Sequence, residues 1–391
     1  TGLSGGAMAA GGELVLSLER MRKISPINKA GRSVTCEAGA ITAQIQQAAA
    51  EEGLMYPVDF ASSGSSQIGG NIATNAGGIQ VIRYGMTRDW VTGLKVVTGT
   101  GELLELNHGL IKNNTGLDFR HLFIGSEGIL GVIVEATLAL THPPANPRVM
   151  VLGVQSMPAL MEVLANCQAK LSVLAFEFFS DLALEKVTAA HSIQPPFQER
   201  FPYYALVEFE SISTAAETQA LELVEACMAA GWVKGAVISQ NESQRRSLWR
   251  LREDISETIA QWTPYKNDIS TTVQQAPELL SSVDALVAQH YTDLEVVWYG
   301  HIGDGNLHLN ILKPDGVSVG AFQERCKAVS AHLFTAVQNL GGSISAEHGV
   351  GLLKKEFLHF SRDEAEISLM RGIKAQFDPD GIFNPGKVFD A

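Results

Sequence analysis

The sequence predicts an α+β chain in two parts, on three observations. Residues 1–142 are rich in glycine and in strand-like runs. The Pro-rich break His142-Pro143-Pro144-Ala145-Asn146-Pro147 follows, and such turn-forming sequence marks a boundary. Beyond it a strand–helix–strand pattern occurs twice. That pattern suggests an antiparallel sheet covered by helices, ferredoxin-like in style.

In the first part, Leu14-Val15-Leu16-Ser17-Leu18 and Ser33-Val34-Thr35-Cys36-Glu37 read as strands. Residues 41–52 read as a helix with its apolar positions on one side. Leu94-Lys95-Val96-Val97 and residues 129–140 read as further strands. In the second part, residues 149–154, 173–179, 204–209 and 236–239 read as strands, with helices over 159–169 and 215–230. Residues 242–262 read as one long helix, followed by helices over 277–290 and 322–340. Residues 377–387 form a turn-rich tail.

The chain has 391 residues, 46% of them hydrophobic, enough for two or more domains. Its net charge of −13 argues against nucleic acid as a partner, because phosphate binding needs concentrated positive charge. No apolar run approaches the roughly 20 residues that span a bilayer, and no secretory signal pattern is present. Cys36, Cys167, Cys227 and Cys326 lie far apart without C-x-x-C spacing. They read as free, buried thiols of a reducing compartment, a bacterial cytosol or mitochondrial matrix.

The stretch Gly300-His301-Ile302-Gly303-Asp304-Gly305-Asn306-Leu307-His308-Leu309-Asn310 carries the most chemistry. Apolar runs flank a Gly-Asp-Gly-Asn turn, so it reads as a hairpin that brings His301 beside His308. His308 and Asn310 are two apart and share one strand face. Further on, Ser345-Ala346-Glu347-His348-Gly349 adds a carboxylate and a third imidazole. Two imidazoles plus a carboxylate leave positions open for substrate and fit zinc or another divalent first-row ion. His108, His142, His191 and His359 stand alone and read as packed or solvated residues.

Three Gly-rich segments mark the first part: Thr1 to Ala7, Gly64 to Gly78 and Gly125 to Val132. Glycines let backbone N–H groups converge on an anion, and interleaved Ser, Thr and Asn add donors. None matches the P-loop or the dinucleotide fingerprint of a strand–helix turn. Three such loops in one region point to a diphosphate-containing cofactor.

On these motifs, and on Asn384 to Lys387, the whole chain resembles the FAD-binding fold of the vanillyl-alcohol oxidase/p-cresol methylhydroxylase superfamily. Within it the chain is similar to the D-2-hydroxyacid dehydrogenase branch, which acts on D-lactate, glycolate or D-2-hydroxyglutarate. The resemblance implies a p-cresol methylhydroxylase-type FAD domain over 1–142, a substrate (cap) domain with the metal site over 148–370, and a segment over 371–391 returning to the FAD domain. It implies that Thr1, Gly2, Leu3, Ser4 and Gly5 hold the FAD pyrophosphate. Pro57, Gly64, Ser65, Gly69, Gly70, Asn71, Thr74, Asn75, Gly77 and Gly78 would line the flavin and its ribityl chain. Glu127, Gly128, Gly131 and Ile133 would approach the adenine side, and Asn384 would return to the cofactor. Family members carry further strands and a helix ahead of Thr1, so the chain reads as N-terminally truncated, with partial FAD binding expected.

The resemblance also implies metal ligands His301, His308 and Glu347, with zinc the first candidate, Asn310 on substrate and His348 as base. Arg252 and Ser256 share a helix face at i, i+4, and Lys266 follows. Matching Arg, Thr and Lys residues of D-2-hydroxyglutarate dehydrogenases clamp a distal carboxylate, with Ser256 here in place of Thr. The expected function is FAD- and metal-dependent oxidation of a D-2-hydroxyacid, D-2-hydroxyglutarate first. D-lactate or glycolate oxidation and a flavin-free fragment are the alternatives. The implied partners are the small hydroxyacid and an electron acceptor (an electron-transfer flavoprotein, a quinone or a cytochrome), with a homodimer admitted.

Overall fold

The computed structural model describes residues 2–390. The chain forms two compact units, Thr1–Pro143 with Glu347–Ala391, and Pro144–Ala346. No helix among the described residues is long and apolar enough to cross a membrane.

The first unit holds an antiparallel sheet of β1 (Ser33–Glu37), β2 (Val91–Val97), β3 (Leu103–Leu106) and β4 (Val132–Ala139), in the order β1-β4-β2-β3. Alternation along β1 and β4 sends Val34, Cys36, Ile133, Ala136 and Leu138 into the core. The helices Thr42–Glu51 and Ile68–Thr74 bury Ile45, Ala49, Ile68 and Ile72 in the same cluster. Four-residue helical turns at Val81–Tyr84, Thr87–Trp90 and Arg120–Phe123 connect these elements.

Two expectations need correction here. Residues 14–18 form no strand: their backbone finds no ladder partner among the described residues, and Leu14 is 98% exposed. An apolar run becomes a strand only when its N–H and C=O groups are paired. The chain returns to this unit at Glu347, earlier than the expected 371. The returning segment contains the helix Glu364–Phe377, which was not expected and which is capped by an Asp363/Glu366 box. Its Ile367 joins the first unit's core, and Phe377 packs edge-on against Phe123, 5.0 Å between ring centres.

The second unit is a seven-stranded antiparallel sheet in the order β8-β5-β7-β6-β10-β11-β9. Its strands are β5 (Pro147–Val154), β6 (Val173–Ser180), β7 (Tyr203–Glu210), β8 (Val233–Ile238), β9 (Tyr265–Ser270), β10 (Val296–Gly300) and β11 (Asn306–Ile311). The expected strand–helix–strand units are present: Met157–Lys170 joins β5 to β6, and Thr214–Ala229 joins β7 to β8. Both helices begin at a serine whose hydroxyl accepts a backbone N–H, Ser156 and Ser213. The expected long helix over 242–262 is instead Glu242–Glu253, then Ile255–Ile259 after a one-residue break at Asp254, then a tighter turn over Ala260–Trp262. The helix Asp181–His191 and strand β9 were not expected. The helices Ala276–His290 and Val319–Asn339 complete the unit.

Register places the chemistry. Phe179 pairs with Tyr299, Tyr299 with His308, His308 with Asp268, and Asn310 with Lys266. Paired residues share a face, so this row crosses four strands on one side of the sheet. Trp298, Leu309 and Ile269 point to the other side, where the Trp298 indole donates to Asp284 at 2.8 Å.

The β10–β11 connection depends on Gly305. Its φ is +87°, and an added Cβ would lie 2.1 Å from the Thr271 carbonyl oxygen. Gly305→Ala is expected to destabilise the protein by at least ~1–2 kcal/mol from the left-handed backbone alone, and by more from the contact. Urea unfolding of the variant beside wild type measures it; an unchanged midpoint would contradict this account of the turn.

Candidate active site

His301 and His308 meet as expected, with ring centres 5.2 Å apart and planes at 84°. Each ring turns Nδ1 toward a buried carboxylate. Glu177 Oε1 is 2.8 Å from His301 Nδ1, and Asp268 Oδ1 is 3.5 Å from His308 Nδ1. An ionised carboxylate only accepts, so the proton sits on Nδ1 and the Nε2 side is the basic one. That is how metal-binding imidazoles are held. Asp268 is itself fixed, since Asn306 Nδ2 donates to it at 2.8 Å and to the Ile269 carbonyl at 3.0 Å.

Burial pushes the His308 pKa down to about 4, with Asp268 opposing. The ring is therefore neutral near pH 7, the form that binds a cation. Burial acts to raise the Glu177 pKa, but the charges of His301 and Arg252 outweigh it and hold the carboxyl below its usual range.

The four expected substrate residues also come together. The Arg252 guanidinium lies 4.6 Å over the Tyr299 ring centre, and Lys266 Nζ donates to Ser256 Oγ at 3.2 Å. Asn310 stands opposite Lys266 across the β9–β11 ladder. Lys266 is exposed by area, yet the protein around its ammonium desolvates it and lowers its pKa. Arg252 Nε and Nη2 and Asn310 Nδ2 are buried without hydrogen-bond acceptors. Arg252 Nη2 does lie 2.8 Å from Glu177 Oε2, but out of hydrogen-bond alignment.

Sequence reasoning missed Glu177, Asp268, Asn306 and Tyr299. The available signal for Glu177 was one charge inside the apolar run of β6. His191, expected to be unremarkable, bonds the Thr258 hydroxyl at 2.9 Å. The four cysteines are buried and free.

Glu347 and His348 open the returning segment of the first unit. They directly follow Ala346, whose N–H donates to the Asp268 carbonyl at 3.3 Å. Within the first unit, a Cβ on Gly77 would come 3.0 Å from Glu347 Oε1.

Thr1 lies outside the described residues; Gly2 and Leu3 are exposed and Ser4 is buried. The Ser4 carbonyl accepts N–H bonds from Leu352 and Leu353 at 2.9 and 3.1 Å. Asn384, at φ +43°, donates from Nδ2 to the Gly6 and Glu127 carbonyls at 2.8 and 2.6 Å. The Glu127 carboxylate accepts from the N–H groups of Val350 and Gly351 at 2.7 and 2.8 Å. Burial raises its pKa against those two bonds. Thus Ser4, Gly5, Glu127, Gly128 and Asn384 belong to one knot of loops.

Gly78 abuts the Pro57 segment, where a Cβ would lie 1.9 Å from the Asp59 carbonyl oxygen. Gly69 packs on Ala38, Asn71 spends its amide on Thr42 and Ser66, and Thr74 bonds the Gly70 carbonyl. Asn75 takes the left-handed conformation at φ +50° and accepts the Arg88 N–H. Gly131 and Ile133 pack in the sheet against Val96 and Val97, while Gly64 and Ser65 stay at the surface. Added Cβ atoms at Gly2, Gly64 and Gly70 would meet nothing. These bare backbone surfaces fit a cofactor approached closely through N–H groups.

Comparison with known proteins agrees. A family described as FAD binding domain matches residues 1–107, and one described as FAD linked oxidases, C-terminal domain, matches residues 143–388. A D-2-hydroxyglutarate dehydrogenase of Stutzerimonas stutzeri (strain A1501) is 56% identical over 391 residues, covering 100% of this chain and 84% of that protein. The mitochondrial D-2-hydroxyglutarate dehydrogenase of Danio rerio is 34% identical over 99% of this chain and 72% of its own. A putative mitochondrial D-lactate dehydrogenase of Schizosaccharomyces pombe is also 34% identical, over 99% of this chain and 75% of its own. The p-cresol methylhydroxylase structure with substrate bound superposes with a TM-score of 0.72 at 14% identity, over 96% of this chain and 80% of that one. That last likeness concerns the fold.

Asn384→Ala would leave two loop carbonyls without their shared donor, at ~1–3 kcal/mol. The expected outcome is a lower ratio of flavin to protein absorbance after gel filtration. An unchanged ratio would show that the loop knot is not needed for FAD.

Proposed function

The chain belongs to the FAD-linked oxidase family and is an FAD-linked oxidoreductase, and from that premise we propose that it oxidises D-2-hydroxyglutarate to 2-oxoglutarate with the help of a divalent cation. One observation carries the choice of a diacid. Buried donors of Arg252 and Asn310 make no well-aligned hydrogen bond in the unit that holds two carboxylate-oriented imidazoles. Buried donors normally have partners, so an anionic ligand is the reading that accounts for them.

Bound FAD supplies the two-electron acceptor, and a cation held by His301, His308 and Glu347, zinc first, supplies Lewis-acid polarisation of the α-hydroxyl. His301 and His308 would contribute ring nitrogens aimed by Glu177 and Asp268. Arg252 and Lys266 pair with the far carboxylate, and Ser256 steadies Lys266. Asn310 donates to the reacting end. His348, next to Glu347 in the chain, takes the hydroxyl proton as general base. The electrons leave to an external acceptor, for which an electron-transfer flavoprotein, a quinone and a cytochrome are the candidates.

Elemental analysis of zinc-loaded wild type and His308→Ala tests the cation: equal metal content in both would sink the ligand set. Arg252→Ala tests the diacid. Truncation leaves the substrate's far carboxylate desolvated and under-paired, at ~2–5 kcal/mol. The kcat/KM ratio of D-2-hydroxyglutarate to D-lactate should therefore fall steeply. A parallel fall for both substrates would place Arg252 at the shared end, and lactate preferred throughout would favour a monocarboxylate enzyme.

Lys266 adds a pH dependence. Its pKa is lowered by desolvation, so its contribution is present at lower pH and is lost as pH rises through that lowered value, earlier than for an ordinary lysine. The same ratio should decline on the alkaline side in wild type and stay level in Lys266→Arg, because guanidinium remains charged. An identical decline in both would clear Lys266 of the role.

A further inference from the structure

Two buried carboxylates, Glu177 on β6 and Glu208 on β7, project from the same face of the sheet, 1% and 2% exposed. They are satisfied differently. Glu208 accepts well-formed hydrogen bonds from Trp249 Nε1 at 3.0 Å and Arg245 Nη1 at 2.6 Å. Those bonds pin the helix Glu242–Glu253 to the sheet. Glu177 divides its oxygens: Oε1 takes the His301 Nδ1 proton at 2.8 Å, and Oε2 faces Arg252 Nη2 at 2.8 Å out of alignment.

If Arg252 were an anchor like Arg245, its donors would be engaged. Instead Nε and Nη2 lack acceptors while the guanidinium stays over the Tyr299 ring. The Glu177 charge holds the group in place and leaves its N–H bonds for another oxygen. At its other end the same carboxylate fixes the His301 tautomer, which presents Nε2.

We propose that Glu177 is a positioning residue that serves both ends of the substrate site at once, aiming His301 at the cation and holding Arg252 for the far carboxylate. The inference rests on the diacid and metal reading above. Its consequence is that one substitution, touching no substrate, should weaken two properties that a fold defect would not link.

The test uses the full FAD-loaded chain. Zinc affinity is measured without substrate by competition with a chromophoric chelator, and selectivity as the kcat/KM ratio of D-2-hydroxyglutarate to D-lactate. Glu177→Gln keeps the shape and removes the charge. It should weaken zinc ~10–100-fold and lower the ratio ~10-fold or more, the scale of one charge-assisted hydrogen bond. Glu208→Gln is the control, expected to lower the melting temperature and leave both quantities alone. The inference is overturned if only one quantity moves, if the ratio rises, or if Glu208→Gln acts equally. Should Glu177→Gln fail to fold, Arg252→Met carries the test: through Glu177 it should shift zinc affinity severalfold, and no shift overturns the link. Wild type that binds no zinc or does not prefer the diacid would refute the functional reading beneath. A normal wild type with an unmoved Glu177→Gln refutes this inference alone.

Discussion

Charge burial is the constraint on which the second unit depends. Glu177, Asp268 and Glu208 are each no more than 2% exposed. An isolated carboxylate moved that far from water costs several kcal/mol, and only close partners offset it. The partners therefore dictate the architecture. Glu208 needs Trp249 and Arg245, which seats the helix Glu242–Glu253 on β6 and β7. Glu177 needs His301, which fixes the start of the hairpin turn. Asp268 needs Asn306, from the end of the same turn, which locks β9 to β11. Removing any one partner would strand a charge, so the row of site residues is held by a stronger requirement than packing.

How much of this was legible in the sequence follows from the range of each interaction. The β10–β11 hairpin and the shared face of His308 and Asn310 depend on turn glycines and the two-residue period, both local, and both were readable. Strand β9 was not. Tyr265-Lys266-Asn267-Asp268-Ile269-Ser270 is polar on both faces, since Asn267 is buried on one side and Asp268 on the other. No hydrophobic alternation announces it. Its pairing with β11 and its bridges to Ser343 and Ser345 make it a strand. The two residues that orient the imidazoles were hidden likewise. Glu177 is 124 positions from His301 in the chain, and no spacing rule reaches that far.

The first unit shows the opposite balance. Its glycine loops were conspicuous, and the structure gives several a steric reason. Gly78 and Gly69 sit where a Cβ would press on the Asp59 carbonyl or on Ala38. What the sequence concealed is which loops meet. Asn384 joins Gly6 and Glu127 across 378 and 257 positions. Glu127 in turn gathers the Val350 and Gly351 N–H groups. These are backbone contacts made by an amide and a carboxylate, and although both residues were singled out, no spacing rule pairs them with those partners. Conversely, the apolar residues 14–18 looked more structured than they are, because hydrophobicity predicts burial only where a partner surface exists.

The unmet donors of Arg252 and Asn310 set a relation between stability and recognition. Each buried polar group left unpaired costs ~1–3 kcal/mol, so these donors are a weak point of an otherwise well-compensated sheet. A ligand that supplies the missing acceptors recovers that cost and stabilises the folded state by mass action. An acid with a single carboxylate can satisfy one end and leaves the other donors as they were. Selectivity would then come less from extra attraction to the larger substrate than from a penalty the site carries until both ends are filled. In the proposed site Glu177 would make that penalty tolerable by countering the guanidinium charge without a well-aligned bond to Nη2. A better-aligned partner at that position would stabilise the sheet and weaken recognition in the same step.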